Sequence, residues 1–375
     1  MVEVREVRTR KERKIFAGFN ERMYRNVPQA IPDMISDERD NFNPKKNPAF
    51  AFCEVKCWLA FRDGEPVGRI AGIVNRAANE KWKTKRIRFS RVDFIDDREV
   101  SEALFQAVEE WGRSLGLQEI HGPIGFCDMD QEGMLIEGFE EEGMLITIHN
   151  APYYREHLEA LHYQKDVDWL EFRIQVPEQG PETLRRLNER ALKRYHLRLL
   201  EVRSRREIKP YIVKAFDLLN RTYNGLYGTV PLTPDLIRKY YRQFMLLINP
   251  AYVKLLVDEE DCPVGLGFAV PSLNRAAKKS KGRLFPWGWY RILRAPFQNA
   301  EILDLYLIGV APEYQNKGLT AVLLYAMAEE ARKRGIRFAE TGPELESNRQ
   351  VQGLWKFFET RQHRRRRCFV KSLEI

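Results

Sequence analysis

Apolar residues recur along this chain in two rounds of the same order. In the first round, CWLAF and PVGRIAGIV flank Arg62-Asp63-Gly64-Glu65, so Cys57 to Val74 predicts a hairpin closed by an Asp-Gly turn. A strand pattern follows at Arg86 to Asp93. A helical period runs from Glu99 to Leu115, and a strand from Leu117 to His121 stops at Gly122-Pro123. In the second round, Ala251 to Val257 and Pro263 to Val270 form a hairpin around Asp258 to Asp261. An apolar strand from Ile302 to Val310 comes next, then a helix from Leu319 to Arg334. The strand from Ile336 to Thr341 again stops at a Gly-Pro pair, Gly342-Pro343.

The two rounds can be laid over each other. Pro66-Val67-Gly68 answers Pro263-Val264-Gly265, and Glu109-Glu110 answers Glu329-Glu330. An internal repeat this long predicts a duplicated domain. The extra length of the second round falls around Arg275 to Phe297. Each hairpin is preceded by helical or irregular chain. Val2 to Arg8 reads as a strand, Lys11 to Tyr24 as a helix, and the Pro- and Asn-rich stretch from Asn26 to Phe52 as irregular. A helix over residues 181–196 separates the halves. A strand from Leu197 to Val202 and helices at Ile208 to Tyr223 and Pro234 to Leu247 open the second. The expected architecture is α/β, a mixed sheet with helices on both faces in each half. The halves are residues 1–175 and 197–375, and a linker helix lies within 176–196.

One stretch carries recognisable chemistry: EILDLYLIGVAPEYQNKGLTAVLLYAMAEEARKR, residues 301–334. A strand feeds a tight turn and then a helix. The helix start leaves backbone N–H groups unpaired at the positive end of the dipole, which makes an anion site. Gly318 lets a ligand approach the backbone, and Lys317 adds positive charge. The stretch resembles the acyl-CoA-binding motif of the GNAT acetyltransferases, V-x-P-x-x-[QR]-x-x-G-x-[GA]. Val310, Pro312, Gln315 and Gly318 fill the pattern, and Thr320 stands where a Gly or Ala is usual. The resemblance implies two GNAT-like domains in tandem, the first degenerate. It implies that Gln315, Asn316, Lys317, Gly318, Leu319 and Thr320 hold the pyrophosphate of acetyl-CoA or another acyl-CoA. It further implies that the strand before the turn takes the pantetheine arm, and that an amide near Ile308 or Val310 polarises the thioester carbonyl. The implied reaction moves an acyl group, expected to be acetyl, to the amine of a small molecule or peptide. Two rivals stand beside it: an aminoacyl-tRNA-dependent transferase of the same fold, and a non-catalytic protein that binds coenzyme A.

Composition adds constraints. A length of 375 residues suits two domains. No apolar run approaches the ~18–20 residues of a membrane span, and the charged start MVEVREVRTRKERK does not read as a secretory signal. A cytoplasmic enzyme is expected. The five cysteines are scattered, with no pair of pairs at zinc spacing, so reduced thiols and no metal are expected. The net charge of +9 suits an anionic partner: coenzyme A, nucleic acid or a lipid surface.

Acylation of an amine calls for a base, an N–H donor for the thioester oxygen and an acid for the departing thiolate. Glu340 falls on the apolar phase of its strand, as a general base or as a rim carboxylate paired with an arginine. Asp304 interrupts its strand in the same way, to orient the amine or to make a buried structural hydrogen bond. Asn348, in Glu346-Ser347-Asn348, resembles the family's E-x-N segment or caps the final helix. Trp355 stands where many GNAT enzymes carry a tyrosine acid. Tyr223 and Tyr227, between the helices that open the second half, are the candidate acceptor-binding aromatics. The Gly-rich segment 125–139 of the first half could shape the acceptor site. Arg364 to Arg367 reads as a nucleic-acid patch or as an edge strand with half its arginines in solvent; nucleic acid is not the expected partner. The basic and aromatic insertion 278–297 could cover an acyl chain, rest on a membrane or be a solvated loop. In the first half the matching strand-to-helix passage, Val92 to Glu99, holds Asp93, Asp96, Asp97 and Glu99 and no glycine, so only the second half is expected to bind a donor.

Overall fold

The computed structural model describes residues 1–179 and 182–374; Pro181 and the side chains of Thr183, Leu184 and Gln350 lie outside the described residues. Both hairpins form where their turns place them. β2 (Cys53–Arg62) pairs antiparallel with β3 (Glu65–Asn75), and β9 (Val253–Val257) with β10 (Pro263–Pro271). β1 (Glu3–Glu6) flanks β2, and β4 (Arg86–Phe94) joins β3 and runs parallel to β5 (Glu119–Gly122). In the second half β8 (Arg198–Leu200) flanks β9. β11 (Ile302–Val310) joins β10 and runs parallel to β12 (Phe338–Thr341). Gly18 divides the expected first helix into Arg10–Ala17 and Phe19–Tyr24.

Amphipathic helices cover these sheets. The Arg98–Ser114 helix buries Val100, Leu104, Phe105, Val108 and Trp111 against Trp58, Ile70 and Phe89. The Leu319–Lys333 helix buries Leu319, Val322, Leu323 and Met327 in the matching place. The Glu182–Arg194 helix packs beside it.

Four further strands join the two halves, one of them expected only as an edge strand. β6 (Met134–Glu137), β7 (Gln164–Gln175), β13 (Glu344–Leu345) and β14 (Thr360–Ser372) complete one 14-stranded sheet. Its main path runs β1-β2-β3-β4-β5-β14-β7-β12-β11-β10-β9-β8. Among the described residues, β7 of the first half pairs only with β12, β13 and β14 of the second, and β14 pairs only with β5, β6 and β7 of the first. The two halves have therefore exchanged their last strands, and neither sheet is complete without the other half.

Arg364 to Arg367 sit in β14 at the centre of the sheet, not at an edge or on a nucleic-acid surface. Alternation sends Arg364 and Arg366 to one face, where Glu171 of β7 accepts from both. Arg365 and Arg367 meet Asp168 on the other face, at 3.1 and 2.7 Å. All four are spent on ion pairs. Burial alone would raise the Glu171 carboxyl, but Arg364 and Arg366 outweigh it and hold it down to about 2. Stability from this carboxylate is thus present above its ordinary value of 4.5 and lost as pH falls towards 2. Glu171→Gln leaves two buried guanidinium groups without their counter-charge and is expected to cost about 3–5 kcal/mol. Denaturant unfolding at pH 7 measures this, and a midpoint equal to that of the unsubstituted chain would refute it.

Candidate active site

The turn after β11 has the form that anion binding needs. Gly318 (φ +75°) is the N-cap of the Leu319–Lys333 helix, and no side chain caps that end. Asn316 also has positive φ, +60°. Consecutive residues alternating in handedness turn their N–H groups into one concavity. A Cβ placed on Gly318 would meet nothing within 4 Å, so the backbone is open to a ligand there. Lys317 is held over the rings of Tyr195 and Tyr314, its Nζ 4.9 and 4.8 Å from their centroids, which keeps its charge beside the turn. The site fits a pyrophosphate.

β11 and β12 pair only over Ile302 to Leu305 and Phe338 to Thr341, and then part. Past that point the Ile308 peptide faces the splay. The Tyr223 hydroxyl donates to the Ile308 carbonyl at 3.0 Å and accepts from the Ile308 N–H at 3.3 Å. Tyr223 thus lies across the strand position expected to serve a thioester.

A cavity of about 230 Å³ opens at the splay. Ile308, Tyr306 and Leu307 of β11 form one wall, and Glu344, Asn348 and Trp355 another. The first half supplies the rest, through Asp128, Met129, Asp130, Glu132 and Trp169. Burial pushes Glu344 up to about 8, although the Trp355 indole donates to it at 3.2 Å and favours its charged form. Burial, helped by the charge of Asp128, pushes Glu132 up to about 8 as well. Glu132 Oε2, Asp128 Oδ1 and the Tyr306 hydroxyl are buried without a hydrogen-bond partner in the protein. Behind Phe244 and Leu307, which border both spaces, lies a second, wholly apolar pocket. Phe216, Met245, Leu255 and Phe268 are among its lining residues.

Residues 213–358 match a family described as the acetyltransferase (GNAT) family. The same span holds the strand, turn, helix and splay just described. The second half of the chain is thus similar to the GNAT family. It is 26% identical to Protein YghO of Escherichia coli (strain K12) over 376 residues, 99% of this chain and 95% of that one. It is also 26% identical to the bacterial ceramide synthase of Caulobacter vibrioides (strain NA1000 / CB15N) over 331 residues, 87% and 85% of the two chains. A solved tandem GNAT protein from the clavulanic acid biosynthesis pathway superposes with a TM-score of 0.56 at 13% identity, covering 100% of this chain and 99% of that one, a likeness of fold.

Within this frame the sequence candidates separate. Tyr223, Tyr227, Ile308 and Asn348 line the cavity. The Tyr227 hydroxyl is pinned away from it, donating to Asp166 at 2.5 Å and meeting His121 Nδ1 at 2.7 Å, so Tyr227 offers its ring. Asn348 caps the short Arg349–Gln352 helix through the Val351 N–H. Val310 is buried in its pairing with Gly265. Glu340 is not on the cavity wall. It lies opposite Arg173 in β7 and is ion-paired to Arg173 at 2.7 Å and to Arg364 at 3.0 Å. These pairs leave it a structural carboxylate, not a base. Asp304 is fully buried beside Glu340 and likewise off the wall. Burial and the charge of Glu340 push its carboxyl well above the ordinary carboxylate range.

Glu344 and Glu132 were missed. Glu344 comes just past the end of β12, and in sheets with parallel strands ligands gather beyond the strand ends. Reading for alternation inside the strand stopped at Glu340. Among the described residues no cluster could hold a metal ion, no helix is long and apolar enough to cross a membrane, and all five cysteines are free.

Proposed function

We propose that this chain transfers an acyl group longer than acetyl from an acyl-CoA thioester to an amine, with Glu344 as general base. One observation carries the reading: the Ile308 peptide, covered by the Tyr223 hydroxyl, and the raised carboxyl of Glu344 line the same cavity. The amides from Gln315 to Thr320 would hold the pyrophosphate, and Tyr223 would yield the Ile308 peptide to the donor. The bound thioester supplies an activated carbonyl carbon and a thiolate leaving group. The Ile308 N–H stabilises the oxygen as it gains charge. The amine nitrogen bonds to that carbon and the carbon–sulfur bond breaks. Glu344 takes the proton the amine sheds and can return it to the sulfur, which removes the need for a tyrosine at position 355. Trp355 is a positioning residue that holds Glu344. Asp128, Glu132 and Tyr306 offer their unpaired oxygens to the acceptor.

An acyl chain longer than acetyl is supported by the apolar pocket behind Phe244 and Leu307. The name of the Caulobacter relative agrees with this, since a ceramide is a fatty amide of a long-chain amino alcohol. The ion pairing of Arg364 to Arg367 removes the feature that best suited a tRNA donor. Thiol release from acetyl-, octanoyl- and palmitoyl-CoA with simple and long-chain amines, with amide products identified by mass, tests the reading. Faster release from the longer thioesters is expected. No release from any thioester with any amine would overturn it.

The pH profile follows from the position of Glu344. Below about 8 its carboxyl is protonated and cannot accept a proton, so kcat/KM should rise with pH and level off above about 8. Trp355→Phe removes the N–H that favours the carboxylate, so the profile should move to higher pH. Titration of the acceptor amine alone would leave the two profiles superimposed.

A further inference from the structure

From Cys262 to Ala300 the chain has no acidic residue, yet it holds Arg275, Lys278, Lys279, Lys281, Arg283, Arg291 and Arg294. Seven positive charges from this stretch sit in a chain whose net charge is +9. Lys278 pairs with Glu142. Among the described residues none of the other six pairs with a carboxylate, and all six are exposed. The guanidinium of Arg291 is steadied by the Lys279 carbonyl, and that of Arg294 by the Tyr290 hydroxyl. Arg275, Lys279, Arg291 and Arg294 line one shallow depression.

The same stretch exposes aromatic side chains. Phe285 is 80% exposed, Trp287 64% and Phe297 53%, and Trp289 and Tyr290 are exposed beside them. Water-facing apolar groups of this size in one cluster mark an interaction surface. They are held in place. Ala276, Ala277 and Ile292 pack on Ile31 and Met34, with Leu284 against them, so the helices Asn274–Ser280 and Gly288–Arg294 are anchored to the body. Arg205 stacks on Phe297 and donates to the carbonyls of Leu246 and Ile248. That ties the patch to the Pro234–Leu247 helix, which carries Phe244.

We propose that the face formed by residues 275–297 docks the protein on an anionic lipid bilayer. Indole and phenyl groups among arginines suit the interface, where rings enter the headgroup layer and cations meet lipid phosphates. Five exposed rings in a stretch that contains no acidic residue distinguish this face from a merely solvated basic loop. The proposal does not depend on the acyl-transfer reading, because its readout is binding.

Flotation of the purified full-length protein with vesicles of phosphatidylcholine, alone or with phosphatidylglycerol, is the test. Binding is expected only with phosphatidylglycerol, and it should weaken as salt is raised. F285S/W287S/W289S should lose it. These side chains are exposed, so thermal unfolding should not change. R291E/R294E leaves the rings intact and should bind at least about 25-fold more weakly, at roughly a factor of five for each arginine lost near an anionic surface. Equal binding to both vesicle types, or undiminished binding by R291E/R294E, would overturn the proposal. So would a dimer in solution, or a complex with bulk tRNA, that the triple substitution abolishes, because the face would then belong to a second copy or to RNA.

Discussion

Glu344→Gln is expected to lower turnover by ~10²–10⁴-fold, the usual range for a lost general base, and to leave acyl-CoA affinity nearly unchanged. Glutamine keeps the size of the side chain and can still accept from the Trp355 indole, so the cavity wall should survive. What is lost is a group able to take the amine's proton. Glu344 suits that work because burial has brought its carboxyl to about 8, close to operating pH, where acceptance and release are both feasible. Glu340→Gln provides the contrast. It removes a charge from between Arg173 and Arg364, so it should lower stability before it alters chemistry. Measuring kcat, donor affinity and the unfolding midpoint for both variants separates the roles. Near-normal turnover by Glu344→Gln at saturating amine would remove Glu344 from the mechanism. A turnover loss confined to a fully folded Glu340→Gln would return the role to the residue that strand alternation suggested.

What the sequence reveals here is what is local in it. The hairpins at Asp63-Gly64 and at Asp258 to Asp261, the strand into Gln315 and Gly318, and the helix behind them are encoded in contiguous residues. β7 was not legible, and β14 read only as an edge strand, because their alternation is between charges. In QKDVDWLEFRIQ and RRRRCFVKS the buried positions include Glu171, Arg364 and Arg366, which burial tolerates only because each strand neutralises the other. Neither strand looks buried without its partner, and the partners lie almost two hundred residues apart. The exchange of these strands between the halves also decided the fate of Glu340. Its arginine partners stand on β7 and β14, so no reading of residues 336–345 could distinguish it from Glu344. The first-half wall of the cavity is non-local for the same reason. Asp128 and Glu132 were visible as part of a Gly-rich irregular segment, but which pocket they face is a property of the fold.

Each chain is expected to bind one acyl-CoA, in the second half, and Gly318→Glu is expected to abolish that binding. The two strand-to-helix junctions are built for opposite purposes. In the second half the Leu319–Lys333 helix starts with no side-chain cap, from a glycine with open space around it. In the first half Asp97 caps the Arg98–Ser114 helix by accepting from the Glu99 N–H at 3.0 Å. Arg62 braces both Asp97 and Glu99, and Asp96 is held by His157 at 2.9 Å. Asp93 is turned inward onto Arg69 at 2.6 Å, so it takes no part in repelling an anion at the surface. The Asp97 carboxylate thus already occupies the first-half helix start, and a pyrophosphate would have to displace it. At Gly318 a glutamate would bring that same arrangement into the second half. Losing two charge-assisted amide bonds, at about 1.5–3 kcal/mol each, lowers affinity at least ~10²-fold. The left-handed backbone adds about 1–2 kcal/mol of strain, too little to unfold a chain of this size. Gly318→Asn adopts that backbone without a charge and should retain measurable binding. Calorimetry with acyl-CoA should give a stoichiometry near one for the unsubstituted chain and no heat for Gly318→Glu. A stoichiometry near two, or a single site that persists in a folded Gly318→Glu variant, would place the donor somewhere other than the 315–320 turn.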